Sequence, residues 1–223
     1  LAQMVNLEEL ALCNQKIEDI SGLKELPLKK LYLSKNMITD FSVLLNLIDL
    51  DTLCIMENPA ENLSPVGECT GISRLNIQGM NLEDIDFLKN LKLDYLDMSN
   101  AEVKSNIFEP LAEMGKLDTL CMCNINESAA ETLSQLSNLK ALFMWGDTTE
   151  LENLKPLKGM KELENLAFTT QISSLEGIEQ FPSLSFLSVS FSLVKDLTPI
   201  TGAKSLQVID ISNAYIENFE ALF

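Results

Sequence analysis

LKKLYLSKNMITDFSVLLNL, residues 28–47, contains the pattern that decides the fold of this chain. Counted from Leu28, apolar side chains fall at positions 1, 4, 6, 11, 14, 17 and 20, and an asparagine falls at position 9. The pattern recurs every 21 to 24 residues. Such a period predicts a solenoid, because no single repeat can bury its apolar side without a neighbour. The ten repeats begin at Leu7, Leu28, Leu50, Ile72, Leu93, Leu117, Leu139, Leu163, Leu184 and Leu206.

Each repeat divides into a short strand and a return segment. Strand side chains alternate between faces, so apolar positions 4 and 6 point into the core and positions 3, 5 and 7 point away from it. We call the surface formed by positions 3, 5, 7 and 8 the inner face. Parallel strands need a return connection, and apolar residues three apart in that segment predict short helical or 3₁₀ turns. Four aspartates precede these turns and are expected to cap them: Asp19, Asp40, Asp84 and Asp196.

The repeated pattern resembles the leucine-rich repeat family over Leu7–Phe223. Its length is similar to the class of about 22 residues found in bacterial internalin-type proteins and in a eukaryotic phosphatase regulator. The resemblance implies an α/β fold: a right-handed parallel solenoid, curved like a bent rod, with a concave parallel sheet. The asparagine of position 9 is kept only at Asn36 and Asn58, so we expect a patchy side-chain ladder. Four repeats instead carry asparagine at position 8: Asn14, Asn100, Asn124 and Asn213.

Composition predicts one elongated leucine-rich repeat domain over residues 1–223. The chain is 46% hydrophobic, and no Pro/Gly-rich or low-complexity segment separates the repeats. No apolar run reaches the roughly 18 residues that a membrane helix needs, so we expect no membrane insertion. Because neither end carries a recognisable polar cap, we also expect the natural array to be longer or to have its caps elsewhere. We expect the protein to be a monomer.

The charge of the chain argues against two classes of partner. Its formal net charge is −17, whereas nucleic acids and anionic lipids both require a basic surface. The inner face is nevertheless close to neutral, so most of the acidity belongs to the edges and outer turns. A solvated surface and long-range attraction of a basic partner both remain open as its role. The inner-face charges are Glu9, Glu57, Asp97 and Asp210 against Lys30, Lys35 and Arg74.

Aromatic residues on the inner face are the candidate binding residues, because the core pattern does not need them. Phe143 and Trp145 lie on the seventh strand and Phe186 on the ninth, so with Ala167 between them they predict a hollow with two aromatic walls. Exposed Trp, Tyr and Arg side chains are typical anchors of protein interfaces. A second cluster pairs Arg74, the only arginine, with Tyr95. The predicted binding residues are Phe143, Trp145, Phe186, Phe191, Tyr95, Arg74 and Tyr32.

The sequence offers little support for catalysis or for a cofactor. It has no histidine, which excludes His-based triads and imidazole bases, and no Gly-rich phosphate loop. Four cysteines are predicted on the inner face (Cys13, Cys54, Cys121 and Cys123), and Cys69 is predicted to be a buried core thiol. Their strand positions disfavour disulfides, and Cys121 with Cys123 and Asp97 is a poor metal site without histidine. We expect no enzyme activity, no metal and no cofactor.

These observations predict a protein–protein recognition module that binds a polypeptide on its concave sheet. The alternatives are glycan or small-molecule binding in the hollow around Ala167, and a passive spacer segment of a longer surface protein. The resemblance to internalin-type arrays favours a bacterial cell-surface or secreted location, whereas unpaired cysteines favour the reducing cytoplasm. We give preference to the surface and leave both locations open.

Overall fold

The computed structural model of the chain describes residues 4–105, 107–123, 125–146, 150–169 and 171–223. Its contacts separate the chain into two compact units, Leu1–Met114 and Gly115–Phe223. Each unit contains five consecutive repeat strands in parallel register. This pattern is a parallel α/β solenoid, as the repeat predicts. That residues 1–223 act as one domain stays a prediction.

The first unit pairs its repeat strands in sequence order. Each strand occupies positions 3–5 of its repeat, so its central leucine points into the core and its two flanking residues belong to the inner face. Two shorter strands, β5 and β7, pair with each other beyond positions 3–5. The strands are β1 (Glu9–Ala11), β2 (Lys30–Tyr32), β3 (Thr52–Cys54), β4 (Arg74–Asn76), β5 (Asn81–Leu82), β6 (Tyr95–Asp97) and β7 (Glu102–Val103).

The strands of the second unit also begin at position 3 of their repeats, and two of them are longer. Strands β9 and β10 extend over positions 3–7 and pair along five residues, from Ala141 opposite Asn165 to Trp145 opposite Thr169. The longer pairing fixes the backbone beneath the aromatic residues of the seventh repeat. The strands are β8 (Thr119–Met122), β9 (Ala141–Trp145), β10 (Asn165–Thr169), β11 (Phe186–Ser188) and β12 (Val208–Asp210).

Short helices and 3₁₀ turns form the return segments, as predicted. Proline occupies one of the first two positions in several of them, where its missing N–H costs no hydrogen bond. The helices are α1 (Ser64–Gly67), α2 (Glu109–Ala112) and α3 (Glu127–Leu133). The 3₁₀ turns are Ser21–Leu23, Ser42–Asn46, Asp86–Asn90, Lys155–Leu157, Ile178–Gln180, Thr198–Gly202 and Glu220–Leu222. None of the described helices has the length and apolarity needed to cross a bilayer.

The predicted capping aspartates hold the starts of these turns. Asp19 accepts a hydrogen bond from the backbone N–H of Ser21 at 2.7 Å, and Asp40 accepts one from Ser42 at 2.8 Å. Asp84 and Asp196 make the same contact with the residue two places on, at 3.0 and 2.8 Å. Each carboxylate thus satisfies an N–H that has no partner inside its turn. The structural interpretation of these aspartates is confirmed.

The apolar positions form the core. All seven apolar positions of the second repeat, from Leu28 to Leu47, are at most 3% exposed. Full burial of a leucine or isoleucine stabilises a fold by about 1.5–3 kcal/mol. Because the same positions recur in both units, this repeated burial is the main stabilising contribution to each unit. It also leaves the inner-face side chains without a role in the core.

Position 8 has a left-handed backbone in every repeat where it is described. Its φ angles range from 54° at Glu57 and Asn100 to 110° at Gly146. Asparagine and glycine tolerate this conformation better than other residues do, which explains why asparagine recurs at position 8. Asn124 lies outside the described residues. The position-8 residues with positive φ are Asn14, Lys35, Glu57, Gly79, Asn100, Gly146, Phe191 and Asn213.

The asparagine ladder of position 9 is short, as predicted. Asn36 donates to the carbonyl oxygens of Leu12 and Leu33, both at 2.8 Å. Asn58 donates to Ile55 at 2.9 Å and accepts from the backbone N–H of Ile38 at 3.1 Å. Later repeats place buried apolar side chains at this position: Met80, Ala101 and Ile125.

Candidate functional site

The inner face of the first unit contains a cavity of about 250 Å³. Its floor is strand β3, where the short side chains of Thr52 and Cys54 leave space between larger neighbours. Tyr32 on β2 stands level with Cys54, and Arg74 on β4 stands level with Thr52. The cavity is therefore a gap one strand wide between two long side chains. Its lining residues are Tyr32, Thr52, Leu53, Cys54, Arg74, Leu75, Asn76 and Tyr95.

Arg74 and Tyr95 form the most specific contact of this cavity. The guanidinium carbon of Arg74 lies 4.5 Å from the centroid of the Tyr95 ring, and the two residues are register partners on β4 and β6. The distance is typical of a cation–π contact. One cavity is thus lined by three of the predicted binding residues, Tyr32, Arg74 and Tyr95. Thr52, Cys54 and Asn76 were missed, although the small residues at positions 3 and 5 of the third repeat signal the gap.

Hydrogen bonds fix the polar groups beside Arg74. Asn76 donates from Nδ2 to the Asp97 carboxylate at 3.2 Å, and the Asp97 carboxylate also accepts from the backbone N–H of Ser99 at 3.0 Å. The thiol of Cys54 lies 3.0 Å from the hydroxyl of Ser34. These contacts fix the orientation of the wall and floor before any ligand arrives, which lowers the entropic cost of binding.

The second unit presents an aromatic surface on its inner face. The rings of Phe143 and Trp145 are stacked, with centroids 5.9 Å apart and planes within 1° of each other. Both residues are only partly buried, so one edge of the pair faces solvent. Alternation along β9 accounts for this arrangement, since residues two apart project from the same face. The two main predicted anchors thus form one stacked, partly exposed aromatic pair.

Phe186 and Phe191 extend the aromatic character of this unit. Phe186 is partly exposed on β11. Phe191 is 67% exposed and occupies position 8 with φ of 61°. A bulky residue in the left-handed region is strained by about 1–2 kcal/mol. The fold therefore tolerates a large exposed apolar side chain where asparagine or glycine would be easier to accommodate.

The hollow predicted around Ala167 has a different geometry in the structure. Ala167 stands opposite Phe143 on one side but opposite Ser188 on the other, while Phe186 stands opposite Asn165. Ala167 is also 2% exposed. The register therefore places only one of the two expected aromatic walls beside this residue, and the expected floor is almost inaccessible. Glycan or small-molecule binding at Ala167 stays a prediction that this geometry does not favour.

The cysteines differ in exposure from what the sequence indicates. Cys69, predicted to be a buried core residue, is partly exposed, because it lines a surface cavity together with Leu47 and Gly71. Its thiol donates to the Pro65 carbonyl oxygen at 3.3 Å, and partial burial raises its pKa. Cys121 and Cys123 are each only 7% exposed. None of the five cysteines, all of which are described, forms a disulfide.

Asp210 on β12 is the inner-face group with the largest resolved pKa shift. Hydrogen bonds from the side chain and backbone N–H of Ser212, followed by the hydroxyl of Ser190, lower its pKa to about 2. The Ser190 and Ser188 hydroxyls lie 2.8 and 3.2 Å from the carboxylate. Donors to a carboxylate stabilise its charged form. Within the described ranges no group of acidic, cysteine or histidine side chains is placed to hold a metal ion.

Comparison with known proteins identifies the fold. No known family profile matches the chain. The internalin InlF of Listeria monocytogenes superposes with a TM-score of 0.70 at 20% identity, covering 99% of this chain and 71% of that protein. A leucine-rich repeat protein of Leptospira interrogans gives 0.61 at 18% identity, covering 96% and 69%.

A more distant structure comes from a eukaryote. The plant peptide hormone receptor RGFR1, solved in complex with RGF2, gives a TM-score of 0.60 at 17% identity and covers 96% of this chain but only 35% of the receptor. The structures that resemble this chain therefore include both bacterial internalins and a receptor. The repeat pattern, the parallel strands at positions 3–5 and these superpositions agree that the chain has the leucine-rich repeat fold of internalin-like proteins.

Proposed function

We propose that this chain is a non-enzymatic recognition protein that binds a polypeptide partner on its inner face. The observation that carries the proposal is the cavity of about 250 Å³ lined by Tyr32, Arg74 and Tyr95. Tyrosine, tryptophan and arginine are the residues most enriched where binding energy concentrates in protein interfaces. All three of these lining residues are dispensable for the core pattern, so their presence needs a different explanation.

The size of the cavity supports a polypeptide rather than a small molecule. Pockets that enclose drug-sized ligands typically have volumes of about 300–1,000 Å³, whereas this cavity is smaller and is open on a sheet surface. Such a space suits one or two side chains of a larger partner. The fold supports the same conclusion, since a plant peptide hormone receptor that shares it was solved in complex with RGF2.

The partly exposed pair of Phe143 and Trp145 provides a second binding surface in this proposal. The pair presents a rigid apolar surface, and apolar area removed from water stabilises a complex by about 25 cal/mol per Å². Phe191 adds an exposed aromatic ring in the same unit. We propose these aromatic side chains as a binding surface of the second unit, considered by itself.

A random dodecapeptide library displayed on phage tests the proposal. We expect selection on the purified chain to enrich peptides whose affinity falls by about 2 kcal/mol in Tyr95→Ala or Trp145→Ala, because each change removes an aromatic anchor. Thermal unfolding should be nearly unchanged, since both side chains are partly exposed. Trp145 is the only tryptophan, so its fluorescence reports directly on peptides that bind the second unit.

Tyr215→Ala is the matched control, because Tyr215 is 86% exposed and lies outside the inner face. Its removal should leave every selected peptide bound with native affinity. If no peptide is enriched over the bare support, or if the enriched peptides are insensitive to both inner-face variants, the proposal is overturned and a passive spacer becomes the better description.

A further inference from the structure

Among the described inner-face charges of the first unit, four form ion pairs, whereas Arg74 and Asp97 form none. Lys30 pairs with Glu9 and Lys35 pairs with Glu57, each with a nitrogen–oxygen distance of 3.3 Å. Arg74, the only arginine of the chain, forms no ion pair with any carboxylate in the described part of the chain. Arg74 instead lies against the Tyr95 ring at the edge of the cavity, where its guanidinium borders the open space.

The surroundings of Arg74 position this cation without neutralising it. The Tyr95 ring, 4.5 Å from the guanidinium carbon, restricts the side chain but supplies no anionic oxygen. The nearby carboxylate of Asp97 accepts hydrogen bonds from Asn76 and Ser99 instead. Arg74 remains exposed and borders the cavity above Thr52 and Cys54. A guanidinium carries five N–H donors in a planar fork that matches a carboxylate.

We propose that Arg74 binds a side-chain carboxylate of the polypeptide partner, with Tyr95 holding the guanidinium and Tyr32 bordering the cavity that receives the acidic residue. This inference rests on the proposed function and specifies the chemistry of its partner. The overall acidity of the chain adds a further condition. A uniformly acidic partner would be repelled at long range, so the bound carboxylate belongs to a segment that is otherwise neutral or basic.

The test uses the peptides selected on the native chain from the random dodecapeptide library. We expect them to share one Asp or Glu at a fixed position, flanked by neutral or basic residues. Replacing that acid by its amide should weaken binding to the native chain about tenfold or more. The same replacement should change nothing for Arg74→Gln, because the partner of the carboxylate is already absent in that variant.

Two further variants separate the effect of the planar guanidinium geometry of Arg74 from the effect of its positive charge. Arg74→Lys keeps the charge without the planar fork and should recover only part of the lost affinity. Lys30→Gln is the matched control, since it removes one positive charge from the same position of another repeat. It should stay within about twofold of the native affinity, because Lys30 is exposed and already paired with Glu9. Unchanged near-ultraviolet circular dichroism of each variant verifies its folding.

The possible outcomes decide between this inference and the broader function. An acid-to-amide change that costs the same affinity on the native chain and on Arg74→Gln overturns the inference. Selected peptides that lack a shared acid and depend only on Trp145 overturn it too, while leaving polypeptide recognition intact. Selected peptides that lose affinity when only the C-terminus is amidated show that a terminal carboxylate is bound, which overturns the side-chain assignment. If no peptide is selected at all, both proposals fail.

Discussion

The inner faces of the two units are built on the same repeat but differ in chemistry. The first unit presents ion pairs, the cavity over Thr52 and Cys54, and the stacked Arg74 and Tyr95. The second presents the stacked pair of Phe143 and Trp145 and the exposed ring of Phe191. Because the core positions are equivalent, neither surface follows from the demands of folding. The comparison shows that a repeat fixes where surface side chains project and leaves their chemistry free.

The two units also differ in how position-9 side chains form hydrogen bonds with the buried backbone groups of their turns. At position 9 the first unit uses Asn36 and Asn58, whose side chains bond several backbone groups. The ninth repeat, in the second unit, has Ser192, which is 3% exposed and accepts one long hydrogen bond of 3.4 Å from the N–H of Val194. The polar ladder therefore contributes more to the first unit than to the second.

The largest expected effect is on that ladder. Asn58→Ala should lower the free energy of unfolding by about 3 kcal/mol, because the buried N–H of Ile38 and carbonyl oxygen of Ile55 lose their partner. Ser192→Ala, at the same position in the second unit, should cost about 1 kcal/mol or less. Urea denaturation followed by circular dichroism measures both. Equal losses in the two variants would show that the asparagine ladder does not distinguish the units.

A smaller effect, of opposite sign, is expected at position 8. Phe191→Asn should raise the free energy of unfolding by about 1 kcal/mol, because asparagine tolerates a φ of 61° and the phenylalanine ring buries little surface. The reciprocal change, Asn213→Phe, should lower stability by a similar amount, since Asn213 has a φ of 56°. Denaturant melts of the two variants provide the measurement. If Phe191→Asn is destabilising, the ring contributes to packing and its exposure is not a sign of binding.

The smallest expected effect concerns pH. The folded-state pKa of Asp210, about 2, lies below the value of about 3.9 for an unfolded chain. The carboxylate therefore stabilises the fold above pH 4, and this contribution is lost as the pH falls from about 4 to about 2. Asp210→Asn should be less stable than the native chain at pH 7 and should lose less additional stability in that window.

Ser190→Ala provides the matched variant for this measurement, because it removes one donor to Asp210 and leaves the carboxylate in place. It should show a smaller change in the same direction. Thermal melts at closely spaced pH values compare the three proteins. Identical pH profiles for the native chain and Asp210→Asn would mean that the serine hydrogen bonds do not hold the carboxylate in its charged form.

Most of the fold was predictable because it depends on periodic local properties. The alternation at positions 3–7 predicts the strands, and the spacing of the return segments predicts the turns that Asp19 and Asp40 cap. The sequence alone did not explain why four repeats carry asparagine at position 8 instead of position 9. These asparagines are explained by a backbone angle, which a residue such as Lys35 or Phe191 also adopts. The sequence did not reveal this left-handed conformation, because residues that rarely adopt it also occupy position 8.

The candidate site was predictable only in part. Position numbers place Arg74 near Tyr95 because neighbouring strands share one register. They place Phe143 near Trp145 because residues two apart on one strand project from the same face. They do not show that Thr52 and Cys54 leave a cavity or that Ala167 is inaccessible. Those properties depend on the volumes of side chains on three adjacent strands at once.

By itself, the sequence determined the solenoid, its strand positions, its capped turns and the identity of its inner-face residues, since these follow from apolar periodicity within and between repeats. Tertiary structure alone decided which inner-face charges are paired and which are not. Lys30 and Lys35 find carboxylates on neighbouring repeats, and Arg74 finds an aromatic ring instead. The physical reason is distance: equal repeat positions place Lys30 near Glu9 and Lys35 near Glu57, but an ion pair requires atoms within about 4 Å, which depends on the side-chain conformations of the folded chain.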